Sequence, residues 1–331
     1  MGRKIFIFTA VILFFSVDVF SDGNVNFNFL WNVYEVDLGI LSSLSKLEMN
    51  EYVYASEKSG KKISELDWNP GFCAGLGMKG GIRPKNIYRK LGLFFDAEVL
   101  WYMTTDKGSV LDVDWDYYGN KYSEAACGMF FDGGMKADGN LQIGIPLGKN
   151  FLLAAGAGVW YGRFSSKAIG GKINQVNPGE SWMYKEEYKL YGVSMLYIQE
   201  WIVLKPDWGI KFFLGGFDCD VMLSASPFVW GDHVDSHYFK KIDRYDEDQK
   251  YIVYEDKVER GLFLNFSLNV LYRISKYSDV GFFVEFISIN DSRGDTKASS
   301  QGLVGYGYID KGMAGSDLFV SDFGIRFCLK L

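Results

Sequence analysis

The chain has 331 residues, a formal net charge of −6, 48% hydrophobic residues and 17% aromatic residues. The modest negative charge argues against a nucleic-acid binder, and the length suffices for one large domain or two ordinary ones. With 38 glycines, 27 phenylalanines and 21 tyrosines but only 6 prolines, the composition is typical of many strands with glycine-containing turns and aromatic girdles.

The first 21 residues have the features of a secretory signal peptide. Arg3 and Lys4 precede an apolar run over residues 5–15, and Val19 and Ser21 occupy positions −3 and −1 of a cleavage site before Asp22. The run is too short to span a bilayer as a helix. We expect an exported chain whose residues 22–331 form one domain, either soluble outside the inner membrane or a barrel in the outer membrane.

Alternation of apolar and polar residues predicts membrane-spanning strands. Stretches 93–102, 262–273 and 280–286 alternate in this way, and the chain ends on an apolar stripe of one parity: Phe319, Phe323, Ile325, Phe327, Leu329 and Leu331. Successive residues of a strand face opposite sides, so each of these strands has one face compatible with lipid and one polar face.

Connections between the strands alternate in length. Short polar turns are predicted at 83–86, 146–150, 205–208 and 275–279, and long polar segments at 42–65, 104–124, 167–181, 231–250 and 290–316. Four turns and five loops require ten strands, and closure satisfies the backbone groups that lipid cannot. The prediction is an all-β, ten-stranded antiparallel transmembrane β-barrel with five long extracellular loops.

The four cysteines, Cys73, Cys127, Cys219 and Cys328, have no C-x-x-C spacing. They are interpreted as unpaired, although two disulfides with three possible connectivities remain open. No pair of cysteines or histidines in these regions has the spacing of metal ligands, so no metal site is expected.

The only two histidines, His233 and His237, lie in the fourth long segment. Asp235 and His237 are two apart, and a strand would place them on one face. A carboxylate beside an imidazole fixes its tautomer and raises its basicity. The alternative is a solvated loop with incidental histidines.

A second pair, Asp112 and Asp114, lies in the second long segment. Two nearby carboxylates repel each other, so one can hold a proton or position a water. The alternative is an acidic rim. Because all the long segments meet at one rim of a barrel, the two pairs could flank one water, with no metal in the reaction.

Several stretches resemble the omptin family of outer-membrane endopeptidases. They are Glu51-Tyr52-Val53-Tyr54, the run 60–68, the stretch 157–171 with Arg163-Phe164-Ser165, the D-x-D-W motif at 112–115 and the D-x-H-Y motif at 235–238. The resemblance implies a ten-stranded barrel that hydrolyses peptide bonds at the cell surface. It assigns Asp112 and Asp114 to the acidic pair, Asp235 to orienting His237, and His237 to activating water, without a covalent intermediate. The family's W-T-D-x-S-x-H-P signature is absent.

The resemblance also bears on the substrate. It implies that Glu51 binds a basic residue at the cut, whereas His233 stands where the family has a second acidic residue, with Asp232 one residue earlier. A lost carboxylate weakens selection for Arg or Lys. We expect a basic preference without strict dibasic cleavage, with Glu51 as an ordinary rim charge the alternative.

The lipid contacts implied by the resemblance differ in this chain. Arg163 matches an arginine that contacts lipopolysaccharide phosphate, but Tyr161 replaces a nearby glutamate, and Glu187 stands at a second lipid-binding arginine and would repel phosphate. No cofactor is expected, and action without lipopolysaccharide stays open.

The leading hypothesis is an endopeptidase that acts as a monomer on polypeptides, in contact with outer-membrane lipid and without nucleic acid. Its activity should fall on the acidic side of neutrality as His237 takes up a proton. The alternative is a non-catalytic barrel, either an adhesin that binds host proteins or a small porin.

Overall fold

The computed structural model describes residues 34–58, 60–84, 91–105, 107–177, 179–238, 251–301 and 307–331. The expected signal peptide at 1–21 lies outside these residues, so the cleavage site stays a prediction. The described chain contains one 3₁₀ turn, Trp182–Tyr184, and twelve strands: β1 (Tyr34–Tyr54), β2 (Lys62–Pro84), β3 (Gly92–Thr104), β4 (Gly108–Trp115), β5 (Lys121–Pro146), β6 (Phe151–Gln175), β7 (Glu186–Leu214), β8 (Phe217–Ser226), β9 (Val229–Tyr238), β10 (Tyr251–Ser275), β11 (Ser278–Gln301) and β12 (Gly307–Lys330). Within the same ranges, no helix has the length and apolar character needed to cross a membrane.

The strands form one closed antiparallel ring. β1 pairs with both β2 and β12, which joins the two ends of the sheet. β3 and β4 share one position in the ring, because both pair with β2 on one side and β5 on the other, each along a different part of these strands. β8 and β9 share another position in the same way, between β7 and β10. The twelve strands therefore occupy about ten positions around the ring, which confirms the predicted all-β barrel.

A belt of exposed apolar side chains surrounds one part of the barrel. Every second residue of the strands contributes to it; examples are Leu38, Ile40, Phe72, Leu76, Leu141, Ile143, Leu204, Ile210, Leu264, Phe282, Phe323, Ile325 and Phe327. The residues between them point inward and are mostly polar or small. This is the division that a strand needs when one face meets hydrocarbon, so the belt marks the transmembrane part of the barrel.

Ion pairs fill the interior at the level of this belt. Lys136 is buried, contacts Glu285, lies 2.6 Å from Asp322 and lies 3.5 Å from Glu98. Tyr102 donates a hydrogen bond to the same Asp322 over 2.9 Å. Charges buried in a barrel need such partners, because an unpaired charge there is strongly destabilising.

The turn predicted at residues 205–208 is wrong, because these residues lie inside β7. Lys205 points inward and pairs with Asp207 over 2.7 Å, while Trp208 faces outward. The polar residues that suggested a turn are thus interior ion-pair partners. The turn itself follows Leu214, where Gly215 and Gly216 adopt positive φ angles of 56° and 95°, which glycine accommodates without strain.

The expectation of five long loops is corrected in the same way, because most of these polar residues are strand. Of its described residues, the first segment leaves only 55–58, 60 and 61 outside strands; the second contains β4, and the fifth is largely β11 and β12. The third belongs to β6 up to Gln175, and the fourth to β9 up to Tyr238, after which residues 239–250 lie outside the described ranges. Beyond the membrane both strand faces are polar, so strands there lose the alternation that identifies them.

The four cysteines, Cys73, Cys127, Cys219 and Cys328, are all free and buried. The interpretation that they are unpaired is confirmed. Cys73, Cys127 and Cys328 pack as small apolar side chains on inward-facing positions of the strands, whereas Cys219 lies on the outer face of β8, between the inward-facing Asp218 and Asp220.

Candidate active site

The two sequence motifs lie beyond the apolar belt, on strand extensions that rise out of the membrane. The outer faces of the neighbouring strands carry charged pairs at this level, including Lys172–Glu187 at 2.9 Å and Lys297–Glu255 at 2.8 Å. Exposed ion pairs of this kind lie in water, so the inward-facing residues opposite them form a mouth open to the aqueous side.

Strand β9 presents Asp235 and His237 on its inward face. The Nε2 atom of His237 makes a short hydrogen bond to Oδ2 of Asp235. Because an ionised carboxylate only accepts, Nε2 carries the proton and Nδ1 is the nitrogen left for another partner. The His237 ring also stands edge-on to Tyr254 at a centroid distance of 5.4 Å, which limits its rotation.

Strand β4 presents Asp112 and Asp114 on its inward face, in different surroundings. Asp112 is paired across the sheet with Leu66 on one side and Ala125 on the other. Asp114 is paired with Ser64 and Ser123, whose hydroxyl groups hydrogen-bond to it. One aspartate therefore has apolar neighbours and the other has hydrogen-bond donors.

The two pairs face each other across the mouth. Counted around the ring from β1 through β2, β4 is at the third of about ten positions and β9 is at the seventh. Strands four positions apart in such a ring lie on nearly opposite walls. The charges of Asp112 and Asp114 act on His237 across this gap, so the four residues share one electrostatic environment.

Electrostatics hold His237 in its charged form. Burial lowers the pKa of its imidazole, but the charge and hydrogen bond of Asp235, with smaller contributions from Asp112 and Asp114, raise that pKa to about 9. His237 is thus an imidazolium at neutral pH. The prediction that enzyme activity falls on the acidic side of neutrality, as His237 takes up a proton, stays untested, and a pKa of about 9 would place this fall at higher pH.

The two carboxyl groups of the acidic pair, Asp112 and Asp114, differ in their surroundings and therefore in the forces on their pKa values. Burial, reinforced by the charge of Asp114 and opposed by that of His237, raises the pKa of Asp112 to about 7. Burial also raises the pKa of Asp114, but its two serine hydrogen bonds and His237 counteract this. Asp112 is consequently the carboxyl group that keeps a proton near neutrality, as adjacent carboxylates in different environments do.

Aromatic side chains close the barrel beneath the site. Trp68 from β2 stacks on Tyr197 from β7 at 5.3 Å, and the hydroxyl groups of Tyr197 and Ser316 are 3.1 Å apart. Trp201 meets the ring of His233 at 4.5 Å. Contacts between opposite walls leave a floor under the mouth and separate it from the ion pairs below.

The predicted substrate-binding residues separate into two groups. Glu51 and His233 point inward and are buried, Glu51 on β1 and His233 on β9. Asp232 lies on the other face of β9, because successive residues alternate, and the structure does not bring it to the mouth. Binding of substrate by Asp232 stays a prediction that the geometry does not support.

His233 is a neutral residue turned toward the floor. Its Nδ1 accepts a hydrogen bond from the backbone N–H of Glu200 over 3.3 Å. Burial lowers the pKa of its ring to about 3, although the charge of Asp232 opposes this. A neutral imidazole in this position gives no charge with which to bind a cation.

Arg163, the predicted lipid-binding residue, points outward from β6 and is about half exposed, with its Nε 4.0 Å from Glu200. Its position is compatible with a contact to lipid headgroups, and this role stays a prediction. Three residues of the mouth were not identified from the sequence: Ser64, Ser123 and Asp256. Each becomes a neighbour of the site only through pairing between strands, which no local motif reveals.

Among the described residues, no group of three or more histidines, cysteines, aspartates and glutamates is arranged to hold a metal ion. The groups that converge on the mouth are carboxyls and one imidazole, which can move protons and polarise water.

Together, the fold and the mouth define a class of protein: an outer-membrane β-barrel with acid–base groups at its outward-facing end. The sequence matches the family model described as Omptin family over residues 33–327, and the chain belongs to this family. It is accordingly an outer-membrane protease, a hydrolase with its site on the extracellular side. No curated protein matches the sequence.

Solved structures agree with this fold. The crystal structure of the outer membrane protease OmpT from Escherichia coli matches with a TM-score of 0.76 and 18% identity, covering 90% of this chain and 97% of that chain. The translocator domain of the autotransporter NalP from Neisseria meningitidis gives a TM-score of 0.28 and 11% identity, covering 94% of this chain and 91% of that chain. Only the first value indicates a shared arrangement of strands.

Proposed function

We propose that the protein is a cell-surface endopeptidase in which Asp235 and His237 activate a water molecule opposite Asp112 and Asp114. The observation that carries this proposal is the placement of the two pairs on facing walls of one mouth, with His237 under the electrostatic influence of both aspartates. A base on one wall and carboxyl groups on the other can hold a water between them and direct it at a carbonyl carbon.

The proposed reaction uses each group in a distinct way. Nδ1 of His237 takes a proton from water as the oxygen bonds to the peptide carbonyl carbon, and Asp235 stabilises the imidazolium that results. Asp112 and Asp114 accept hydrogen bonds from the water and orient it; with a pKa of about 7, Asp112 is ionised over the pH range in which His237 is neutral. When the carbon–nitrogen bond breaks, His237 returns the proton to the leaving amine. No bond forms between enzyme and substrate.

The proposed substrates are polypeptides cut next to a basic residue. Glu51 supports this preference, since it is an inward-facing carboxyl group on the wall of the mouth. His233 offers no charge in place of a second carboxylate, so cleavage restricted to two consecutive basic residues does not follow. We propose that the enzyme acts as a monomer.

We further propose that lipopolysaccharide is dispensable for activity. Arg163 is one exposed cation that could meet a lipid phosphate. Glu187, at the position of a second expected arginine, is an exposed carboxylate paired with Lys172 and would repel phosphate. Equal cleavage rates in detergent with and without added lipopolysaccharide are expected, and a rate that depends on the lipid would contradict this.

Single substitutions test the catalytic assignment. His237→Ala and Asp112→Ala should each lower kcat/KM on a fluorogenic peptide by about 10²- to 10⁴-fold, the usual contribution of acid–base catalysis. Glu187→Ala, on the outer face, is the matched control and should keep full activity. Retention of activity by His237→Ala, with the barrel shown to be folded by its heat-dependent gel mobility, would refute the proposed role of this residue.

A further inference from the structure

Asp256 lies beside the mouth but has no part in the proposed water activation. It points inward from β10 and is paired directly across the sheet with His233 on β9 and with Thr296 on β11. Directly opposed residues of neighbouring strands have side chains about 5 Å apart. A carboxyl group thus lies next to the neutral imidazole of His233, within the reach of one side chain.

Glu51 lies near Asp256 on the same side of the mouth. β9 and β4 stand on opposite walls of the ring. Both β10, which adjoins β9, and β1 lie in the half of the ring that runs from β9 through β10, β11, β12, β1 and β2 to β4. The charge of Asp256 acts on the carboxyl group of Glu51, and the charges of both residues act on the hydroxyl group of Tyr197. The two carboxyl groups, with Tyr197 beside them, form what we call the acidic subsite: Glu51, Asp256 and Tyr197.

The acidic subsite lacks a cation from the part of the chain that the structure describes. Glu51 and Asp256 are only 4% and 6% exposed. Oε2 of Glu51 and Oδ1 of Asp256 are buried and accept no hydrogen bond from the described residues. The contact that Asp256 does make is to the hydroxyl of Thr296.

Their surroundings oppose the ionisation of both groups. Burial, with the charges of Asp235 and Asp256, raises the pKa of Glu51 well above its usual range. Burial and Asp235 raise the pKa of Asp256 to about 7, against the hydrogen bond of Thr296. Uncompensated buried carboxyl groups destabilise a fold, and a bound cation would remove this penalty.

We infer that Asp256 is a specificity-determining residue, which together with Glu51 binds the cationic end of an Arg or Lys side chain of the substrate. His233 is neutral and gives no carboxylate at its position. Asp256, on the neighbouring strand, supplies a second carboxylate beside that of Glu51. Two carboxylates can receive the several N–H groups of a guanidinium, and the face of Tyr197 can contact the aliphatic stem or the cation. This inference rests on the proposed peptidase function and names its substrate subsite.

The test compares two peptides that differ only in the residue before the cut, arginine or its uncharged isostere citrulline. The full-length barrel, Asp256→Asn and Glu255→Gln are assayed on both. Glu255 is the matched control, because it is the adjacent residue of β10, lies on the outer face and pairs with Lys297. Asp256→Asn should lower kcat/KM for the arginine peptide about 30-fold or more, as loss of one partner of a buried charge pair does, and leave the citrulline peptide nearly unchanged.

Inhibition by agmatine, a guanidinium compound without a carboxylate, gives a second readout. It should inhibit the parent and Glu255→Gln competitively and Asp256→Asn much more weakly. An arginine-to-citrulline ratio in Asp256→Asn equal to that of the parent would overturn the inference while leaving the peptidase in place. If the parent cut neither of these peptides and no member of a broad peptide library, the proposed function would be overturned, and the subsite with it.

Discussion

Asp235 accepts a hydrogen bond from Nε2 of His237, two residues along the same face of β9. This contact orients the imidazole, leaves Nδ1 as the nitrogen that can take a proton from water, and stabilises the charged ring. It therefore links the orientation of the base to the pH at which the base works.

The pH dependence of cleavage should reflect this link. A general base acts when unprotonated, and a pKa of about 9 for His237 leaves on the order of one molecule in a hundred neutral at pH 7. We expect kcat/KM to rise from pH 7 and to level off above about pH 9. A stopped assay across this range measures the profile, and a constant rate between pH 7 and pH 9 would contradict it.

Substitution of Asp235 should move that profile in a defined direction. Asp235→Asn removes the carboxylate that favours the charged imidazole, so the pKa of His237 falls and the rising limb shifts to lower pH. The plateau rate should also drop, because the imidazolium formed during the reaction loses its stabilising charge. The pH profile of kcat/KM for Asp235→Asn tests this, and a limb at the same pH as in the parent would show that another group titrates.

Replacing Glu51 should stabilise the barrel at high pH. Its carboxyl pKa is raised in the folded state, so the folded form binds the proton more tightly and stability falls as pH rises above the unfolded value. Glu51→Gln removes this loss. We expect its heat-induced gel shift several degrees above that of the parent at pH 9, and a smaller difference at pH 5. The control is Glu48→Gln on the outer face, and equal shifts for both variants would argue against a buried acidic subsite.

The interior ion pairs should determine stability more than the exterior ones. Lys136→Met leaves Glu285 and Asp322 without their cation, which costs about 3–5 kcal/mol. Lys172→Met breaks the exposed pair with Glu187 and should cost at most about 1 kcal/mol. Urea unfolding in detergent measures both values, and similar losses would contradict the buried network.

The membrane-spanning part of the fold follows from the sequence because lipid imposes a pattern on it. The stretch 280–286 and the end of the chain alternate, and Phe282, Phe323 and Ile325 are exposed in the belt. The polar residues Lys205 and Asp207 predict a turn but form an ion pair inside β7, because an inward-facing ion pair looks the same in sequence as a polar turn. Above the belt both faces are polar, and the strands there resemble loops.

The site is predictable only as far as each motif lies on one strand. The two-residue spacing placed Asp112 with Asp114 and Asp235 with His237, and the structure brings these four to one mouth. Asp256 could not be found in this way, since its relation to His233 depends on the register between β9 and β10. The segment that joins those strands, residues 239–250, gives no local sign of that register.

Hydrolysis of peptide bonds by the two facing pairs is the proposed activity. The most direct measurement is cleavage of a quenched-fluorescent peptide library by the refolded barrel beside the double variant Asp112→Ala/His237→Ala, with products identified by mass spectrometry. We expect cleavage by the parent alone, next to basic residues. Equal cleavage by the double variant, or none by a folded parent with and without lipopolysaccharide, would contradict it.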